Sequence, residues 1–171
     1  MSQTLLLEIV TPTGASLRQD VDEVSVPSVT GEFGVLPGHL PIVAALKTGL
    51  VSWKHGGLQH ACAVGAGFVE VSGDHVSILT DRYQTKEAID PVLVRATLHG
   101  IEEELRGFSE SQATPAFQEL VAKELWCAAQ LELHGDPPPP TLHFASAYGP
   151  AFDNPEQREE GPAAALADDN R

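Results

Sequence analysis

Apolar and polar residues alternate through the first half of the chain, then change to helical spacing. Leu5, Leu7 and Ile9 share one parity, as do Val24 and Val26, Val51 and Trp53, and Val76 and Ile78. Period-two spacing puts each set on one face of a strand. Thr13-Gly14, His55-Gly56-Gly57, Gly65-Ala66-Gly67 and Gly73-Asp74 lie between the runs as turn signals. His55-Gly56-Gly57 separates Leu50–Lys54 from Leu58–Val64 and reads as a hairpin loop. Many short strands at close spacing predict an all-β sandwich or barrel over residues 1–86.

The period changes after residue 86. Asp90-Pro91 offers a side-chain acceptor at the N-cap and a proline at the first helical position. Val94, Leu98, Ile101 and Leu105 follow at helical spacing, and Gly107 ends the run. Thr114-Pro115 repeats the start signal. Phe117, Leu120, Val121, Leu125, Ala128 and Leu131 then form a second stripe that ends near Gly135. Two amphipathic helices joined by a short connection predict an antiparallel hairpin over residues 87–134. The plain reading of both stripes is mutual packing. Isolated helices of this length are marginal in water, so the hairpin needs the β domain or a partner to hold it.

Residues 135–171 differ again. Pro137 to Pro140 predict an extended spacer. The remainder is rich in Ala, Gly, Pro, Asp and Glu, and disorder is expected. Leu142, Phe144, Tyr148 and Phe152 are the exception, either a short docking motif or scattered apolar residues. The chain thus divides into a β-sandwich domain (1–86), a helical hairpin (87–134) and an acidic, Pro-rich tail (135–171).

Charge narrows the partners. Of the net −14, residues 1–86 hold five basic and eight acidic side chains, residues 87–133 three and nine, and residues 134–171 two and seven. Such acidity disfavours nucleic acid and anionic lipid and leaves a basic protein surface as a compatible partner. No basic region followed by an apolar run opens the sequence, so no signal peptide is expected. No stretch approaches the roughly 18 consecutive apolar residues of a membrane span, so any membrane association has to come through a partner. Cys62 and Cys127 lie outside any CxxC or Cys/His spacing and read as two buried thiols.

Catalytic chemistry finds little support. None of the seven histidines forms HxH or HExxH; His55 and His60 flank the hairpin loop and face each other only if the register allows it. The contiguous Pro37-Gly38-His39 lacks the spacing of a cupin metal motif. No serine sits in a nucleophile elbow, and no P-loop or GxGxxG is present. Glu32 and His39 would make an acid/base pair only if folding brought them together. The expectation is a binding or mechanical part, with no catalytic residue, metal or cofactor.

One segment stands apart. Gly31-Glu32-Phe33-Gly34-Val35-Leu36-Pro37-Gly38-His39-Leu40-Pro41 holds three glycines, two prolines, one acid and one histidine among bulky apolar residues. Glycine permits backbone angles other residues resist and proline fixes its own, so the segment predicts a shaped loop, neither a regular strand nor a flexible linker. It resembles the G-E-[LF]-G-[IV]-x-P-G-H-x-P loop of the epsilon subunit of F-type ATP synthases. Leu7-Glu8-Ile9-Val10-Thr11-Pro12, Asp22 to Pro27, Ala44 to Gly49, Gly67-Phe68-Val69-Glu70-Val71 and Val76-Ser77-Ile78-Leu79-Thr80-Asp81 resemble further motifs of that family in the right order, over roughly residues 4–133.

The resemblance implies a ten-stranded β-sandwich followed by a two-helix hairpin, in a non-catalytic subunit of the rotor's central stalk. Such a subunit binds the gamma subunit and rests on the membrane c-ring. It couples proton-driven ring rotation to ATP synthesis on other subunits, at the cytoplasmic face of the cell membrane and without inserting into it. The resemblance assigns ring contact to Gly31 and Glu32. Gly34, Pro37, Gly38, His39 and Pro41 would shape the loop, with His39 hydrogen-bonded inside it. The hairpin would fold down on the sandwich or extend toward the alpha and beta subunits and restrain ATP hydrolysis. Some members bind ATP through I-D-x-x-R-A, but Ile89-Asp90-Pro91-Val92-Leu93-Val94-Arg95-Ala96 carries two extra residues. Spacing of five separates Asp90 from Arg95 on the helix surface, which argues against nucleotide binding there. Thr114–Leu133 offers Lys123 alone beside Glu119, Glu124 and Glu132, which implies weak electrostatic clamping. The alternative is a free-standing β-sandwich binding module with a helical appendage.

Overall fold

A computed structural model describes residues 4–109 and 111–139. The expected disorder of the tail, and its apolar residues Leu142 to Phe152, therefore lie outside the described residues. Ten strands come first: β1 (Leu5–Thr11), β2 (Gly14–Val21), β3 (Glu23–Ser28), β4 (Gly31–Val35), β5 (Ile42–Leu46), β6 (Gly49–His55), β7 (Leu58–Val64), β8 (Gly67–Ser72), β9 (His75–Thr80) and β10 (Tyr83–Gln84). A 3-10 turn (Lys86–Ala88) leads into α1 (Pro91–Arg106) and α2 (Pro115–His134).

The strand path runs β10-β7-β6-β3-β5-β8-β9-β1-β2, with β4 on the side of β3. Pairing is antiparallel except between β1 and β9. Two layers meet at a corner where β3 joins β5 through one residue pair, Ser28 with Leu46. At the far edge β2 returns toward β6: the Asp22 N–H donates to the Lys54 carbonyl at 2.8 Å, and His55 Nδ1–H donates to the Asp20 carbonyl at 2.7 Å. The residues singled out by period two all lie in the core between the layers, where Leu5, Leu7, Ile9, Val26, Val51, Val76 and Ile78 are fully buried. Burial of this kind stabilises by about 1.5–3 kcal/mol per large aliphatic side chain.

The hairpin caps form as the sequence implies. The Asp90 carboxylate accepts from the N–H groups of Val92 and Leu93 at 3.0 and 3.2 Å, and the Thr114 hydroxyl accepts from Phe117 N–H at 3.4 Å. Gly135 closes α2 in the left-handed conformation at φ +102°. Val94, Leu98, Ile101 and Leu105 are buried against α2 in a second core, which also takes in Ala63 and Ile89. The hairpin is thus folded down on the outer surface of β6 and β7. Leu50, Ala61 and Ala63 form the seat, and the two small residues let the helix come close. Arg82, in the loop before β10, lies 5.8 Å from the ring centroid of Trp126 on α2.

Candidate functional site

The glycine-rich segment departs from the expected loop. Gly31–Val35 is a regular strand paired with β3 in the register Val24 with Val35 through Ser28 with Gly31. The reason lies in its apolar alternation: Val35 is fully buried and Phe33 packs against the same core. Only Leu36–Pro41 is non-repetitive. There Pro37 and Gly38 (φ +80°) occupy the central positions of a turn closed by His39 N–H to the Leu36 carbonyl at 3.0 Å. A positive φ after proline is the type II pattern, which favours glycine. Gly38 N–H donates to Asp74 Oδ1 at 3.1 Å, tying this turn to the β8–β9 turn. His39 Nδ1–H donates to the Leu40 carbonyl at 2.7 Å, within the loop.

The strand separates residues that the sequence reading groups together. Gly31 and Glu32 stand at one end of β4 and Pro37 to Pro41 beyond the other, about 14 Å apart along the strand. Glu32 and His39 are therefore no acid/base pair. Glu32 is exposed and accepts a 2.5 Å hydrogen bond from Ser25 Oγ. Gly31 adopts φ +127°, and its carbonyl accepts from the buried Ser28 hydroxyl at 2.6 Å. Gly34 lies mid-strand, and Pro41 immediately precedes β5.

His55 and His60 also part company. The register sets His60 opposite Trp53, and the two rings stack at 5.8 Å. Asp90 is occupied as a helix cap. Arg95 forms an ion pair with Asp136, just past the end of α2. Neither residue of the displaced nucleotide motif is idle, and both serve the hairpin. On α2, Lys123 pairs with Glu119 at 2.8 Å, and that hydrogen bond holds the Glu119 carboxyl below its ordinary pKa. Cys62 lies in the sandwich core, where burial pushes its thiol up to about 12; burial raises Cys127 as well. Both are poor nucleophiles in this fold.

The sequence reading missed an exposed apolar face. Register places Ala45, Phe68, Leu79 and Val10 in one row across β5, β8, β9 and β1. Phe68 is 60% exposed, Leu79 50% and Val43, one pair further along β5, 69%. Beside this row run Glu70, Ser77 and Glu8. Leu36 and Leu40, 57% and 80% exposed, flank the turn at one end of the same layer. The available signal was apolar residues at the outward parity of strands whose inward parity was already apolar. A contiguous patch of this kind marks an interaction surface.

Comparison with known proteins agrees with the fold. Residues 4–86 match the family model for the ATP synthase delta/epsilon chain beta-sandwich domain. The chain is 40% identical over 119 residues to ATP synthase epsilon chain 2 of Syntrophotalea carbinolica, covering 70% of this chain and 83% of that one. It is 42% identical over 108 residues to the ATP synthase epsilon chain of Bacillus subtilis, covering 63% and 82%. Among solved structures, a chain in the Euglena gracilis mitochondrial ATP synthase (OSCP/F1/c-ring) superposes with a TM-score of 0.58 at 21% identity, covering 77% of this chain and 78% of that one.

Proposed function

Because the chain belongs to the epsilon-chain family of ATP synthases, we propose that it is a non-catalytic central-stalk subunit that joins the gamma subunit to the c-ring and transmits ring rotation to ATP synthesis. Among the described residues no helix is long and apolar enough to cross a membrane. The reading accordingly has the chain held at the cytoplasmic face of the membrane through its partners. Residues 1–86 make the rotor contacts, and residues 87–134 regulate ATP hydrolysis through the alpha and beta subunits.

The observation that carries the reading is the outer face of Val43, Phe68 and Leu79. It is too apolar for a surface that faces only water, and the exposed Glu70 beside it suits a basic counterpart, Glu8 being already engaged by Arg18 at 3.7 Å and His75 at 3.3 Å. This face takes gamma. Gly31 and Glu32, on an exposed corner, supply the ring contact, with the Glu32 carboxylate as polar handle for a basic ring residue. The Leu36–Pro41 turn, braced by Asp74, is a separate stiff edge and not part of that handle.

Co-expression with gamma, followed by size-exclusion chromatography and titration, tests the reading. The wild-type chain elutes with gamma in a stable complex. Phe68→Asp removes about 1.5–3 kcal/mol of burial and weakens the complex about tenfold or more. A chain that stays monomeric beside gamma, or binds equally well with Asp at 68, overturns it.

A further inference from the structure

Three strands stand at the margins of the sheet: β2, β10 and β4. An exposed margin is a template for another chain, and folds blunt it with bulges, charges or brevity. β2 is bulged where its register with β1 shifts, and it carries Arg18 and Asp20. β10 has two residues. β4 has neither device. Its register with β3 is continuous over five pairs, and Glu32 is its one charge.

Hydrogen bonding shows which groups of β4 face outward. Pro27 has no N–H, and its carbonyl accepts from Lys47 N–H at 3.1 Å, on the side of β5. Val29 N–H donates to the Ala45 carbonyl at 3.0 Å on the same side. Pro27 and Glu32 are therefore a pair without mutual hydrogen bonds. By alternation, Phe33 and Val35 direct their N–H and C=O groups at β3, and Glu32 and Gly34 direct theirs away from it. Among the described residues nothing bonds those four outward groups.

We propose that the free edge of β4 takes an extended segment of a basic partner as an added antiparallel strand, through the N–H and C=O groups of Glu32 and Gly34. Register specifies that segment. Gly34, Ser25 and Ser52 lie in one row on the outer face and floor a hollow of about 260 Å³ that Leu36 and Gln59 also line. The residue opposite Gly34 meets no side chain there and lays its own over the hollow, where an apolar one packs on Leu36. The residue two further along lies opposite Glu32 on the same face, with Cβ atoms about 4.5–5.5 Å apart. A Lys or Arg at that place meets a carboxylate that holds the Ser25 hydroxyl, while Arg18, Lys54, Arg82, Arg95 and Lys123 pair with other acids. The segment thus reads apolar-x-Lys/Arg, and the net charge of −14 favours a basic partner over an acidic one. The inference deepens the reading of Glu32 as a polar handle and rests on it for the partner's charge; it does not depend on the Phe68 face.

Amide exchange followed by NMR on the full-length chain tests it. The probes are the end-blocked peptide Thr-Val-Leu-Val-Lys-Val-Thr and its twin with Glu in place of Lys. In the free chain, the amides of Glu32 and Gly34 should exchange at least about tenfold faster than those of Phe33 and Val35. Saturating Lys peptide should slow the two outward amides about tenfold and leave β1 and β9 unchanged, and the Glu peptide should not. Gly34→Pro removes one outward donor and no bond to β3, a position where an edge strand accepts proline, and Gly34 has no positive φ that proline would oppose. This variant should melt within a few degrees of wild type and lose the slowing at Glu32. Glu32→Lys should reverse the choice between the peptides at Gly34. Outward amides already protected in the free chain, no slowing by the Lys peptide, equal slowing by both peptides, or slowing that survives Gly34→Pro overturns the proposal. Neither gamma nor the ring is present, so such a result leaves the Phe68→Asp test of the proposed function standing.

Discussion

Leu131→Ala isolates how the hairpin is held. Leu131 is 1% exposed in the core that joins α2 to α1 and to the outer face of β7. Truncating a buried leucine to alanine costs about 2–5 kcal/mol, the lost transfer energy plus the cavity left behind. That cost falls on the hairpin and its seat, because Leu131 belongs to the second core and not to the one between the sandwich layers. The two cysteines report on the two cores separately. Cys127 sits in the hairpin core at 5% exposure, and Cys62 in the sandwich core at 0%. When opening is fast and rare, a buried thiol is alkylated in proportion to the open population. The variant should therefore label at Cys127 between roughly 30-fold and a few thousand-fold faster than wild type, with Cys62 unchanged. Mass spectrometry of peptides after timed iodoacetamide quenching resolves both sites. Equal acceleration at both cysteines would refute the separation of the cores, since hairpin and sandwich would then open as one unit. No acceleration at Cys127 would show that Leu131 does not hold the hairpin.

Alkaline pH should act through Cys62. Its thiol ionises near its ordinary 9.0 in the unfolded chain and near about 12 in the folded one, so the unfolded state binds fewer protons between those values. Its stability contribution is complete below pH 9 and falls by up to about 1.4 kcal/mol per pH unit toward 12; Cys62→Ala should flatten that slope in urea melts, and an unchanged slope counts against the assignment. Asp90→Ala removes the α1 cap and should cost about 0.5–2 kcal/mol, while calorimetry with MgATP should give the same negligible heat for wild type and Arg95→Ala. Saturable ATP binding lost on Arg95→Ala would mean that the Asp136 ion pair yields to nucleotide. Deleting residues 87–171 from the assembled complex should raise ATP hydrolysis by less than about fivefold, the scale of one exposed ion pair at about 1 kcal/mol, because Lys123 is already engaged by Glu119. A large activation sinks the idea of a weak clamp.

The strands that carry the Leu5, Val24, Val51 and Val76 series and both helices were legible because their apolar periodicity is set by burial: every residue of those four series lies in the core. The caps at Asp90, Thr114 and Gly135 were legible because orphan backbone groups at helix ends demand them. The strand at Gly31–Val35 was not. Its glycines outweighed the alternation of Phe33 and Val35, although a β-strand tolerates a glycine such as Gly34 that presents no side chain to either face. The grouping of Glu32 with His39 failed for the same reason, since a strand that was missed also hid the distance between its ends. The outer face of Phe68 and Leu79 and the seat of Ala61 and Ala63 needed the register. Which outward position meets water, a partner or a helix depends on which strands become neighbours, and pairing between distant segments is a tertiary property. Arg95 with Asp136 is likewise a contact across 41 positions that only the closed hairpin creates.

The central claim is that this chain couples ring rotation to ATP synthesis without performing chemistry itself. Inverted membrane vesicles depleted of the chain and energised by respiration test it most directly. The account predicts that proton-driven ATP synthesis is lost on depletion and restored by adding back the wild-type chain, but not the Phe68→Asp variant. Undiminished synthesis in vesicles that contain none of the chain would contradict it.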